Sequence, residues 1–69
     1  MDLEYFVGHN VNVVTSDGKE LKNYYASFFS DASDNVEPDE DCIGLKKSSD
    51  ESDGIILYQS EIKGIKIVD

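Results

Sequence analysis

The sequence predicts a small, mainly β domain: five antiparallel strands in a strongly bent barrel, preceded by a short helix. Three observations carry this expectation. Val11 and Val13 alternate with Asn10 and Asn12, the period-two pattern of a half-buried strand. Asp17-Gly18 comes next, a strong hairpin signal because glycine accepts the positive φ that a primed turn demands. The strand leaving that turn is long and carries aromatic residues on both faces, so it must bend to serve two parts of one core.

The elements follow in order. Residues 2–8 read as a short helix, with Asp2 as N-cap, Leu3, Phe6 and Val7 at helical spacing, and Gly8 as the stop. Strand one covers about 10–15, and Ser16-Asp17-Gly18 is the turn. Strand two covers about 19–30; strict alternation puts Leu21, Asn23, Tyr25, Ser27 and Phe29 on one face and Lys22, Tyr24, Ala26 and Phe28 on the other. The stretch 30–41 is rich in carboxylates and holds the only proline, Pro38, which marks a loop. Strand three runs over about 42–47, and 48–53 is a second polar turn. Strand four, 54–59, is apolar on both faces, as suits a strand covered on both sides. Ser60-Glu61 leaves room for one 3-10 turn before strand five, 62–68, so strands four and five are expected to stay together. Phe6, Val11, Val13, Leu21, Phe29, Ile43, Leu45, Ile56, Ile65 and Ile67 are expected to supply most of the core.

Sixty-nine residues form one domain, 1–69, without internal repeats. A domain of this size buries only about 60% of the surface its unfolded chain exposes. Such scaffolds usually need a staple or a partner subunit. Cys42 is the only cysteine, so no internal disulfide forms, and oligomerisation is the expected supplement. The lone cysteine also points to the cytoplasm. No run approaches about 20 consecutive apolar residues, and the acidic start Met1-Asp2-Leu3-Glu4 is not expected to be a signal peptide.

The formal charge is −9, with six lysines and no arginine. Phosphate neutralisation by Lys and Arg supplies most of the affinity for nucleic acid, so this balance argues against general polyanion binding and against anionic membranes. The acidic stretch 31–41 lacks the spaced ligand pattern of a calcium-binding hand and reads as a solvated loop. His9, the sole histidine, has no nucleophile in view, and Cys42 has no basic neighbour in sequence to activate it. Neither nominates an active site. No enzyme activity and no cofactor are expected.

A short helix, five strands and a one-turn link between the last two describe the SH3-like small barrels. Among them the chain resembles the Sm-like (LSm) domains. Val7-Gly8, Val11, Val13, Asp17-Gly18 and Leu21 match the family's first motif, and Ile55 to Ile67 match its second more loosely. The resemblance implies the barrel fold. It also implies head-to-tail pairing of strand four with strand five of the next copy, which nominates Ile55, Leu57, Ile65 and Ile67 as an oligomer interface. Lys63 and Lys66 would then meet carboxylates such as Glu51 or Asp53 on the neighbour. RNA-binding relatives use the loop after strand two, and here Asp34 and Asn35 fall in that loop. The chain departs from the family there, because Ser33, Val36 and Glu37 provide no stacking side chain. After strand four, Glu61 stands about where the family places a cation.

The expected function is therefore a non-catalytic, self-assembling or protein-interaction module, a homo-oligomer with scope for a protein partner and no membrane role. The alternative is a divergent RNA-binding Sm-like protein that uses a ring pore or Lys46 and Lys47.

Overall fold

A computed structural model describes residues 2–32, 40–47 and 54–69. Asp34, Asn35, Glu51 and Asp53 lie outside the described residues. The chain is mainly β, with β1 (Asn10–Thr15), β2 (Glu20–Ser30), β3 (Cys42–Lys46), β4 (Ile55–Tyr58) and β5 (Ile62–Ile67). All neighbouring pairs are antiparallel, in the order β4-β3-β2-β1-β5.

The N-terminal helix is a single 3-10 turn, Leu3–Phe6, without a side-chain cap from Asp2. A segment this short cannot repay α-helix nucleation, and the tighter 3-10 form suits short pieces. Packing holds it: Leu3 is completely buried. Beyond it, the Gly8 N–H donates to the Ala26 carbonyl at 2.9 Å, and the Ala26 N–H donates to the His9 carbonyl at 3.0 Å.

The β1–β2 hairpin turns at the expected place with a different geometry. Gly18 has φ 90°, but Asp17 is not at positive φ, so the turn is not the two-residue primed type. It is a three-residue connection closed by the Thr15 N–H on the Lys19 carbonyl at 2.8 Å and the Gly18 N–H on the Thr15 carbonyl at 2.9 Å.

Strict alternation does not hold along β2. Val11 pairs with Tyr24 and Val13 with Leu21, so β2 carries an extra residue there. Asn23 takes it up at φ 58°, a conformation asparagine tolerates better than most residues, and Asn12 Oδ1 accepts the Asn23 N–H at 2.8 Å. A second shift lies at Ser27, between the pairs Ala26–Leu45 and Phe28–Gly44; there the Ser27 hydroxyl donates to the Gly44 carbonyl at 3.2 Å. Each bulge switches the face. Leu21, Tyr24, Ala26 and Phe29 are therefore the residues that reach the core, drawn from both sequence-derived faces.

The buried hydrophobic residues are Leu3, Val11, Val13, Leu21, Ala26, Cys42, Ile43, Leu45, Leu57 and Ile62. Phe6, Phe29, Ile65 and Ile67 pack against them while only partly buried. Ile56 does not belong to the core: it is 53% exposed, because Leu57 takes the inward position on β4. Nor is β4 covered on both faces, since Ile56 on its outer face is exposed.

β4 and β5 are joined by the expected 3-10 turn, Gln59–Glu61, yet they form the two edges of the sheet. A flat five-stranded sheet would separate its edges by roughly 19 Å. The four Cα steps from Tyr58 to Ile62 reach at most roughly 14 Å. The sheet must therefore curl. It does not close, because β4 and β5 share no ladder hydrogen bonds.

Candidate functional site

The two edges are the places where this fold leaves main-chain groups without a ladder partner. Among the described residues, β4 pairs only with β3, and β5 only with β1. Unpaired edges are templates for another strand, which natural proteins normally blunt or use.

The curl and the register decide what each edge presents. On β4, Leu57 is 7% exposed and sits in the core, while Ile55 is half-buried opposite Leu45. On β5, Ile65 and Ile67 are half-buried against the same core, while Lys63 and Lys66 are exposed. The side chains of the four residues nominated from sequence thus serve the protomer's own interior. What these edges offer outward is backbone together with Ile56 on β4 and Lys63 and Lys66 on β5. Sequence reasoning misassigned Ile56 because β4 is apolar at successive positions, so periodicity gives no parity.

A row of outward side chains crosses the sheet beside the β4 edge: Phe28 pairs with Gly44, and Gly44 with Ile56. Phe28 is 44% exposed, and its ring occupies the space a Gly44 side chain would need, since an added Cβ would lie 2.1 Å from it. At the other edge the outward row is Glu20, Val14, Gly64. An added Cβ at Gly64 would meet nothing within 4 Å, and the glycine sits in a shallow depression with Asn12, Val14, Lys22 and Lys66 around it.

The turn between the edges is held by carboxylates. Glu61 accepts the Tyr58 N–H at 3.0 Å, and Glu40 accepts the Ser60 N–H at 2.7 Å and its hydroxyl at 3.1 Å. Glu61 therefore supports the turn itself, at the position where a cation was expected by resemblance. At the base of the acidic stretch, Asp41 accepts the Ala32 N–H at 2.8 Å.

His9 Nδ1 lies 3.3 Å from Asp69 Oδ2, both side chains more than a third exposed, and the same carboxylate oxygen accepts the Asn10 N–H at 3.4 Å. The pair fastens the segment after β5 to the start of β1. Cys42 is buried. Lys47 Nζ stands 5.0 Å from the centre of the Tyr24 ring, a cation–aromatic contact set by the β2–β3 register, in which the adjoining residues Tyr25 and Lys46 are paired. Among the described residues, no group of three or more His, Cys, Asp or Glu is placed to hold a metal, and no helix is long and apolar enough to cross a membrane.

Comparison with family models, with curated proteins and with solved structures finds no match to this chain.

Proposed function

We propose that this chain is a non-catalytic, self-assembling module, in which the β4 edge of one copy adds to the β5 edge of the next. The curled sheet is then a divergent Sm-like barrel. The observation that carries the reading is the presence of two open edges on one small sheet, joined by one turn and flanked on one side by an exposed Ile56. A contact between unlike edges is heterologous and repeats from copy to copy, closing into a ring if the rotation allows. Charge supports the direction of pairing. The chain carries −9, and the β5 edge displays Lys63 and Lys66, so it is an edge that attracts another acidic copy. Repulsion between whole subunits opposes this, and salt screens that repulsion.

Light scattering at low and moderate ionic strength tests the reading. The expected result is a multiple of the 7.7 kDa chain mass, more fully assembled at moderate salt. A monomer at high concentration in both conditions removes it.

RNA binding by the segment holding Asp34 and Asn35, with Lys46 and Lys47, is the second reading. Its one support is the pairing of a cation with an aromatic face at Lys47 and Tyr24. Against it stands the net charge, so binding should be weaker than the roughly 10⁻⁴–10⁻⁶ M of ordinary non-specific binders. Micromolar binding of oligo(U) or oligo(A) at ~150 mM salt, the physiological range, would promote this reading.

A further inference from the structure

We infer that two copies pair β4 to β5 antiparallel with Ile56 directly opposite Gly64 of the partner subunit, its side chain lying over that glycine. The inference rests on the assembly reading above and adds its register.

The protomer already contains the same device. Across β2 and β3, Phe28 faces Gly44, and the ring fills the space left by the missing side chain. The next position in that outward row is Ile56, a large apolar side chain, 53% exposed, on an edge strand. The other edge offers a second glycine, Gly64, with its space empty. Joining the edges extends an alternation of large side chain and glycine: Phe28, Gly44, Ile56, then the partner's Gly64.

The inward row selects the same alignment. Ala26, Leu45 and Ile55 form one inward row, and Ile65, Val13 and Leu21 form another. With Ile56 opposite Gly64 of the partner subunit, Ile55 falls opposite the partner's Ile65. Two half-buried isoleucines then meet, and the interiors run together. A slip of one residue would set outward Ile56 against inward Ile65, because a strand's faces alternate. A slip of two would place it against exposed Lys66. In the preferred register the partner's Lys66 stands opposite Gly54, which follows the acidic run Asp50-Glu51-Ser52-Asp53 in sequence.

The test is cross-linking in a Cys42→Ala background. Ile56→Cys and Gly64→Cys are made as separate chains, one with a size tag, then mixed and oxidised. Directly opposed residues lie about 4.5–5.5 Å apart between Cα atoms. That is within the ~4.4–6.8 Å a disulfide needs, whereas diagonal neighbours at about 7–8 Å are not. The expected product is a reducible dimer of tagged and untagged chains, absent when Lys66→Cys replaces Gly64→Cys. A dimer formed by Ile56→Cys alone, or a link only through Lys66→Cys, overturns the register. Gly64→Val gives an independent readout. Gly64 is not at positive φ and the space around it is open, so the variant keeps its circular dichroism but loses assembly. If it assembles as fully as the parent, the register is wrong although assembly stands. If the parent itself is a monomer, the assembly reading and this inference fall together.

Discussion

The inner strands of the sheet and its two edge strands treat their main chain differently. At the β1–β2 hairpin, irregular backbone is answered by a nearby side chain. Asn12 accepts the N–H of the bulged Asn23, and the Thr15 hydroxyl accepts the Lys19 N–H at 3.0 Å while donating to Asp17. At the β4 and β5 edges, the outer side of the strand has no ladder partner among the described residues. Polar backbone normally finds partners in the fold or in water, so a deviation matched by a side chain is part of the protomer's design. An open edge with an exposed isoleucine beside it has no such side-chain match, and it is where the proposed pairing would act.

The sharpest break of that comparison lies within β4. Leu57→Ala should destabilise by about 2–5 kcal/mol, the range for buried leucines. Ile56→Ala should stay within about 0.5 kcal/mol in the monomer, as exposed positions do. Urea denaturation of the two variants under non-assembling conditions reads the difference. Equal losses would mean that β4 is covered on both faces within one copy.

At the hairpin, Gly18→Val should cost roughly 1–2 kcal/mol, the penalty for a side chain in the left-handed region. Thermal unfolding measures it, and a neutral result would show that the turn relaxes. A smaller loss, about 0.5–1.5 kcal/mol, is expected for Asn12→Ala, which removes one hydrogen bond from the bulge. Amide exchange at Asn23 should rise in that variant while exchange in β4 does not change.

The smallest effect concerns pH. Hydrogen bonds from the Thr15 hydroxyl, and then from the Lys19 N–H, hold the Asp17 carboxyl below its ordinary 3.8. A lowered folded-state value means that the ionised form stabilises the native turn. Its contribution is fully present above the unfolded-chain value and is lost as pH falls through the lowered one. The stability gap between the parent and Asp17→Asn should therefore narrow as the solution is acidified below that range. A gap that is constant with pH would show that the charge on Asp17 does not matter.

Much of the fold was legible because its signals are local. Val11 and Val13 are buried as their alternation requires, Gly18 takes the positive φ, and residues 59–61 form the single turn that a short link allows. The faces of β2 were not legible. Nothing within Leu21–Phe29 announces a bulge, and two bulges reorder which residues reach the interior. The candidate site was legible as a pair of strands, but its outward residue was not, since Ile55, Ile56 and Leu57 are equally apolar.

By itself, the sequence determined the positions of the strands, the hairpin turn, the short link between β4 and β5, and an acidic chain with one cysteine and no arginine. Each follows from residues within a few positions of one another or from composition. Only the tertiary structure decided that the helix is one 3-10 turn, that β4 and β5 are the edges of an unclosed sheet, that Ile56 faces outward over the row of Gly44, and that Lys47 covers Tyr24. These depend on register between distant segments, where one extra residue in a strand reverses every side chain beyond it.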